Sequence, residues 1–580
     1  MAHYLRVVPA VRTISGVEAF DYAIPDSASL HIGDVLFVPF RKKQIAAIVI
    51  DLMETSPYAE KCVMLTDTTP LLRLHPTTAE LLIQTAQRTW CSAPTIFASW
   101  IRQIPKRATP IAAPVTSEQP QTAERQTTYR VDRWHGDGGL IATAQRLTGR
   151  TIVFTPWKIQ AEHLAAELSA PLFHSELATG AAWKTVTKFL TSETPIIVTT
   201  RIGSWLASQA EHIIIDEPEN DDWKQDEASP RIDTRWLIEE IGRLRPEVSI
   251  IKFSTTPPLS NATIEWKDIP DVQLNWRADP WQRRSFSTVD QVSALTLTQI
   301  HEAIEDKRPV IILHPIRGER ARIACKDCGW VAACASCGFQ VSLIAGKSLC
   351  RRCGKRDTPP NECKNCSGYN LSAGRSGIDH IRQQLDTQII ANKVQIVDTH
   401  TFQTMIIPPN AFIVCTDLSL TSGAIEDIRR KEKFTISWRR IASKITCAGA
   451  QLVAQGPEEL LTEAHALLTA EGVRQTWKQE WQDRGIFGYP PTFQLIKCLV
   501  DGIEAIAQTA TTDLTTAMTA IPGVHVRGPF PVPFRAASRG ARWVIHIIAP
   551  LATTEERLDT ILKPFSKKMI IDRDPIAFFS

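Results

Sequence analysis

Four Cys-x-x-Cys pairs crowd into residues 325–366: Cys325/Cys328, Cys334/Cys337, Cys350/Cys353 and Cys363/Cys366. Two intervening residues let a tight turn aim both sulfurs at one ion, and zinc takes four such ligands in a tetrahedron. Four claws therefore make two closed sites. The spacing predicts a nested assignment. The inner pairs, separated by twelve residues, leave room for one β-hairpin and form one site (Cys334, Cys337, Cys350, Cys353), while the outer pairs meet at the base of the module (Cys325, Cys328, Cys363, Cys366). Gly329, Gly338 and Gly354 each follow a claw and supply the positive φ that such a turn needs. A disulfide framework is the competing chemistry, but nothing marks the chain as secreted. Two structural zinc ions are expected and, with no cysteine left over in the cluster, no catalytic one.

The cysteine region is also where positive charge gathers. Between Arg317 and Arg356 nine Lys/Arg face only Glu319 and Asp327, in a chain whose net charge is just +3. A basic module inside a nearly neutral chain is the footprint of a phosphate-contacting surface, and Arg351 and Arg352 are among its candidate contacts. The other five cysteines (62, 91, 415, 447, 498) lie scattered in apolar surroundings and are expected to be buried free thiols. No signal peptide is expected from the opening residues, and no apolar run approaches the roughly 20 residues of a membrane span. A cytoplasmic, nucleoid-associated location follows as an expectation.

The elements that must position this chemistry divide the 580 residues into several domains. Residues 1–104 carry short β-like runs and one helical stretch, 77–90. A Pro-rich linker, 105–127, follows. From 128 to 270 continuous β-branched runs alternate with helices, as in a parallel sheet buried on both faces. A second such unit, 271–470, holds the zinc-binding insertion 319–372 after the first of its expected strands. Residues 458–481 read as one amphipathic helix with Leu460, Ala464, Leu467 and Leu468 on a stripe. Residues 471–580 form a C-terminal α+β domain. The fold class is thus α/β multidomain: two parallel lobes, an inserted two-zinc module, an N-terminal β-rich domain and the C-terminal α+β domain.

The first lobe ends a strand in Asp216-Glu217, and an acidic pair there holds Mg²⁺ and orients the attacking water in nucleic-acid translocases. The continuation, with Trp223, Lys224, Gln225, Arg231 and Arg235, resembles the second helicase motif of the bacterial replication-restart family of PriA (primosomal protein N′). Pro218 and Glu219 replace the third and fourth residues of that family's acidic box. The cysteine ladder is similar to the family's from end to end, including Gly329-Trp330. Residues 174–177, 198–205 and 253–257, and Arg317-Gly318, resemble family segments. Residues 20–25 and 34–40 look like its domain that grips a DNA 3′ end, and 489–493, 528–534 and 571–576 look like its final domain. The likeness spans nearly the whole chain, and it implies that the two lobes are helicase-like and the N-terminal domain DNA-binding.

It also marks what has been lost. By position the P-loop is residues 133–141, where Gly136 and Gly138 persist but Gly139 stands for the Lys and Leu140 for the Thr. A leucine cannot ligate a cation, and no intact P-loop is expected elsewhere. The second lobe's two arginine-finger positions carry Lys444 and Cys447, with Arg439 and Arg440 just upstream; the segment before them has become Asp398–Thr401. One finger alone is worth about 10³–10⁵ in rate, and such parts act as a unit. Bound ATP and Mg²⁺ are therefore not expected, and Asp216 and Glu217, like Gly136 and Gly138, read as remnants. The resemblance implies a 3′-end pocket at Asp21, Arg41 and Lys61, in which Arg41 replaces a glycine. It leaves no room for the family's winged-helix domain. It implies a protein that binds stalled or forked DNA, meets single-stranded DNA-binding protein and recruits helicase-loading partners without unwinding. An active helicase with an atypical nucleotide site, and a zinc-ribbon interaction scaffold, are the alternatives left open.

Overall fold

The structure, a computed structural model, describes residues 3–11, 18–102, 105, 127–130, 139–225, 229–259, 269–280, 292–314, 321–325, 327–328, 330, 332–335, 341–344, 347–350, 355–375, 381–382, 385, 393–418, 428–532, 541–576 and 578. The chain divides into two units, Met1–Ser254 with Ala552–Ile576, and Thr255–Leu551 with Ala577–Ser580.

In the first unit, strands β1 (Tyr4–Pro9), β2 (Phe20–Ala23), β3 (Asp34–Phe40), β4 (Lys43–Met53) and β5 (Leu72–Arg73) pair antiparallel in the order β2-β1-β4-β3-β5. Alternate residues of a strand face opposite sides, and both sides are buried. Leu5, Val7, Leu36, Val38, Ala47 and Val49 form one core with Tyr22 and Leu65. Val8, Val35 and Ile48 pack with Leu81, Leu82, Ile96 and Phe97 of the helices Thr77–Thr89 and Ala93–Trp100. The register pairs Phe40 with Lys43, so Arg41-Lys42 alone turns the β3–β4 hairpin.

The α/β part of this unit is a wholly parallel sheet: β6 (Thr127–Arg130), β7 (Thr151–Phe154), β8 (Leu172–Phe173), β9 (Ile196–Thr199), β10 (His212–Asp216) and β11 (Ser249–Phe253), ordered β6-β11-β10-β7-β9-β8. Ile213 and Ile215 face one core and Ile214 the other, which is why β10 reads as an unbroken apolar run. Residues 552–576 supply the helix Glu555–Leu562 and strand β25 (Ile570–Arg573) to this unit.

The second unit holds a parallel sheet of β12 (Trp276–Pro280), β13 (Val310–Leu313), β19 (Gln395–Val397), β20 (Phe412–Cys415) and β21 (Gln451–Gly456), ordered β12-β21-β20-β13-β19. Strand β12 was not expected. It is a half-exposed edge strand carrying Arg277 and Asp279, so it lacks the apolar run that marks its neighbours, and the cysteine module follows the second strand in chain order rather than the first. That module is antiparallel: β14 (Ala321–Cys325), β15 (Val341–Ile344), β16 (Lys347–Cys350), β17 (Arg356–Asp357) and β18 (Leu371–Arg375), in the order β17-β16-β15-β14-β18. The single helix expected over 458–481 is two, Glu458–Ala466 and Ala470–Phe487. Thr469 breaks it by accepting the Gly472 amide on its Oγ1 at 3.0 Å, an N-cap that restarts the helix in a new direction. Beyond lie β22 (Phe493–Asp501), β23 (His525–Pro531) and β24 (Arg542–Pro550), with β24 antiparallel to both others and the helix Glu504–Met518 against them.

Candidate metal centre and nucleic-acid interface

The outer claws meet. Cys325 ends β14, and the Cys363/Cys366 claw immediately precedes β18, which pairs with β14 in register Cys325↔Leu371. The four sulfurs of Cys325, Cys328, Cys363 and Cys366 lie within 4.8 Å of one another. Cys325 Sγ is 3.6 Å from Cys366 Sγ, and Cys328 Sγ is 3.5 Å from Cys363 Sγ. Ligands about 2.3 Å from a tetrahedral zinc stand roughly 3.8 Å apart, so the cluster fits that ion. Backbone bonds shape the claws: the Cys325 amide donates to Trp330 O at 2.7 Å and the Cys363 amide to Gly368 O at 2.8 Å. The fourth claw has no glycine directly behind it; Ser367 takes the positive φ, 52°. Gly368 follows because a Cβ there would stand 2.9 Å from Asp327 Oδ2 and 3.3 Å from Cys366 Sγ. Gly329, Gly338 and Gly354 lie outside the described residues. The sulfurs share charge unequally. The Asn365 side chain and the Trp330 amide hold the Cys328 thiol down to about 6. The Gly368 amide favours the Cys366 thiolate, but the thiols of Cys325 and Cys328 push it up to about 12. Metal binding deprotonates such thiols.

For the inner pairs, β15 and β16 form the expected hairpin, Val341 opposite Cys350. Cys334 and Cys350 are buried in one small core with Ile323, Ala332 and Val341. Cys337 and Cys353 fall outside the described residues, as do Arg351 and Arg352. Lys347, Lys355, Arg356 and Lys364 are exposed on the module. A Gly-Lys-Ser tripeptide does occur, at 346–348, which qualifies the expectation that no second phosphate loop exists; its Lys347 and Ser348 open strand β16, so no helix N-terminus stands behind it to cradle an anion.

In the N-terminal domain Asp21 faces Arg6 across the β1–β2 ladder. Arg6 Nε and Nη2 donate to its two oxygens at 2.8 and 3.0 Å, and Ser56 Oγ donates to Oδ2 at 2.6 Å. The Arg6 hydrogen bond holds the Asp21 carboxyl below its ordinary range, against the opposing effect of burial. Neither Arg6 nor Ser56 was among the expected site residues. Strand register carries the signal for Arg6, since opposite charges directly across a ladder pair. Arg41 turns the hairpin with φ 56°, its guanidinium 5.7 Å from the Phe40 ring centroid, and Phe40 meets Phe20 edge-on at 5.1 Å. Arg41, Lys42, Lys43 and Lys61 are exposed. Phe37, Pro39, Gln44 and Met64–Asp67 line a groove of about 390 Å³ on this domain.

The described residues that the resemblance aligns with a nucleotide site are embedded in structure. Gly136 and Gly138 lie outside the described residues; Leu140 is buried with Ala144, Val153 and Phe253 as a core residue. Asp216 ends β10 and accepts from Thr155 Oγ1 at 3.3 Å. Glu217, at φ 51°, is held by its amide to Phe253 O at 2.8 Å, and its carbonyl accepts from Trp223 Nε1 at 2.7 Å. Lys224 and Arg231, which resembled a motor motif, pair with the buried Asp572 at 2.7 and 3.3 Å. In the second unit Arg439 donates to Thr256 Oγ1, Leu467 O and Pro270 O at 3.0, 2.8 and 2.7 Å, and burial lowers its guanidinium to about 10. Lys444 donates to Phe402 O and Gln403 O at 2.9 and 2.7 Å. Of the scattered cysteines, Cys415 and Cys498 are buried as expected; Cys62, Cys91 and Cys447 are only half-buried. Their neighbourhoods at element ends leave one side open to solvent. Among the described residues no helix is long and apolar enough to cross a membrane.

Comparison with known proteins bears on the same regions. The family model described as the 3′DNA-binding domain (3′BD) of PriA matches residues 10–101. Replication restart protein PriA of Helicobacter pylori is 25% identical over 251 residues, 43% of this chain and 40% of that protein. PriA of Haemophilus influenzae is 22% identical over 485 residues, 73% of this chain and 64% of its own length. PriA of Bacillus subtilis is 23% identical over 248 residues, 40% and 30% respectively. The matched stretches thus span less than two thirds of each relative. An antiparallel domain whose residues match the 3′DNA-binding domain of PriA, a four-cysteine cluster, and several bacterial relatives named replication restart protein PriA agree: the chain is similar to the PriA proteins over these regions.

Proposed function

We propose that the chain is a replication-restart protein that binds stalled or forked DNA and recruits the helicase-loading machinery without ATP-driven unwinding. The observation that carries this reading is the pairing, on one chain, of a matched 3′DNA-binding domain with a four-cysteine knot in a basic module. Zinc in the outer site would be held by Cys325, Cys328, Cys363 and Cys366, and a second ion by Cys334, Cys337, Cys350 and Cys353. Both are structural: closed thiolate shells tie strands together and leave no open position for chemistry. Arg41, Lys61, Arg351 and Arg352 would contact phosphates, giving salt-dependent, largely sequence-independent affinity, while Asp21 sets the strand beneath the hairpin. Single-stranded DNA-binding protein and primosome proteins are the proposed partners, met in the cytoplasm at the nucleoid.

The case against a motor rests on what its residues now do. Leu140 fills a core, Arg439 and Lys444 are spent on carbonyl oxygens, and Lys224 and Arg231 on Asp572. The reading that ATP·Mg²⁺ does not bind is supported by the sequence of the glycine loop, where Gly139 and Leu140 stand at the positions of the phosphate-binding lysine and the Mg²⁺-binding threonine. The test is binding of purified protein to a fork and to a matched linear duplex at moderate salt, with ATP turnover measured on both. The fork should bind tighter and turnover should be absent; equal, weak binding to both sinks the restart reading, and turnover abolished by Asp216→Asn sinks the motorless one.

A further inference from the structure

Asp21, the carboxylate that the resemblance assigns to a DNA 3′ terminus, is occupied by the protein itself. Both oxygens of Asp21 are engaged, one by Arg6 Nε and the other by Arg6 Nη2 and Ser56, and its side chain is 3% exposed. A carboxylate so enclosed has little left to offer a sugar hydroxyl. The aromatic surface beside it is likewise taken. Phe20 and Phe40 pack against each other, and Arg41 reaches back over the Phe40 ring, covering an aromatic face that could otherwise take a base. Position 41 has the positive φ that suits glycine, yet it carries the longest cationic side chain. What the hairpin shows to solvent is therefore three adjacent cations, Arg41, Lys42 and Lys43, at a two-residue turn and its edge.

We infer that this domain, although it matches a 3′DNA-binding family, binds single-stranded DNA along its phosphate backbone without reading the 3′ end, with Arg41 and its neighbours making the contact and Asp21 withheld from it by Arg6 and Ser56. The inference rests on the DNA-binding reading above. Three adjacent cations can neutralise successive phosphates anywhere on a strand, and nothing in that contact distinguishes a terminus from the interior.

The experiment titrates the full chain with one internally labelled oligonucleotide in three forms: 3′-hydroxyl, 3′-phosphate and covalently closed circle. Affinities should agree within about twofold. Arg41→Ala with Lys42→Ala should weaken all three by the same factor, since the lost contacts are to phosphate. Asp21→Asn, which keeps the side chain's shape, should change none of them. A loss of about tenfold or more on blocking or removing the 3′ hydroxyl overturns the inference. So does a double variant whose loss is confined to the 3′-hydroxyl form, or an Asp21→Asn variant that melts like the parent but binds that form more weakly. Absence of binding to all three forms defeats the DNA-binding reading itself, and this inference with it; a 3′-end preference defeats the inference alone.

Discussion

Lys224 Nζ lies 2.7 Å from Asp572 Oδ1, with both side chains almost wholly withdrawn from solvent. The ammonium also donates to the carbonyls of Arg573 and Asp574, and Arg231 reaches the other Asp572 oxygen at 3.3 Å. Around this pair the charges continue outward: Arg88 binds Asp574 and Glu555 at 2.6 Å each, and Arg573 binds Asp559 at 2.5 Å. The segment after the acidic box is thereby fastened to residues 571–574, far away in sequence but within the same unit. A stretch that reads as motor machinery serves as a clasp.

The clasp makes a direct prediction. Asp572→Ala leaves Lys224 and Arg231 as buried cations with no carboxylate between them, and removing one partner of a buried pair costs about 3–5 kcal/mol. Urea unfolding should show that loss. Asp572→Leu combined with Lys224→Met should recover much of it, because two apolar side chains remove the stranded charge. Equal losses in the single and the paired variants would mean that packing, and not charge, holds the segment.

A second buried network gives a pH dependence. Glu432 accepts from Arg484 at 2.8 Å and pairs with Arg429 at 3.2 Å, while Arg484 also holds Glu480 at 3.0 Å. Burial alone would raise the Glu432 carboxyl, but Arg429 and Arg484 outweigh it and hold it at about 2. Its folded value lies below its unfolded value, so the network's contribution is fully present above the ordinary glutamate range. It fades as pH falls from about 4.5 towards 2. Thermal melts across that window should fall more steeply for the parent than for Glu432→Gln, which has no carboxyl to titrate. Parallel curves would show that the site contributes nothing to acid sensitivity.

Much of the fold was legible because burial leaves a strong signature. The runs at 151–154, 196–199, 212–216 and 249–253 are covered on both faces, and each reads as continuous β-branched sequence. Strand β12 was missed because an edge strand needs no such run, and the helix break at Thr469 because one hydroxyl cap leaves the apolar stripe intact across it. For the outer cluster of Cys325, Cys328, Cys363 and Cys366, spacing sufficed: claws are local, and the β15–β16 hairpin lies between the two outer ones. The roles of Arg6 and Asp572 were hidden for the opposite reason. Each depends on a partner brought near by the fold, and a charged residue in a sequence does not say which opposite charge it will meet.

The metal centre should be divisible. Zinc measured by atomic absorption on the purified chain is expected at two ions, and Cys363→Ser should lower it to one, since the proposed inner shell of Cys334, Cys337, Cys350 and Cys353 shares no ligand with the outer one. Gly368→Ala tests the claw's backbone. Its added Cβ would press on Asp327 Oδ2 and Cys366 Sγ at 2.9 and 3.3 Å, so zinc should be lost to a chelator faster than from the parent. Unchanged release would mean that the turn relaxes around the methyl group, and retention of two ions in Cys363→Ser would refute the outer site.

Arg41 separates backbone from side chain. An L-residue in the left-handed region costs roughly 1–2 kcal/mol, which glycine escapes at an entropic cost of about 0.5–1. Arg41→Ala and Arg41→Gly both lose the guanidinium over Phe40, an exposed contact worth about 0.5–1 kcal/mol. Only alanine retains the strained φ of 56°. The glycine variant should therefore unfold at higher denaturant than the alanine variant, by about 0.5–1 kcal/mol, and close to the parent because its gain and its loss nearly cancel. In DNA titrations the two should be equally impaired, since both lack the same cation. If alanine matched glycine in stability, the turn would carry no strain, and if glycine bound DNA like the parent, the hairpin's grip would lie in its backbone or in Lys42 and Lys43.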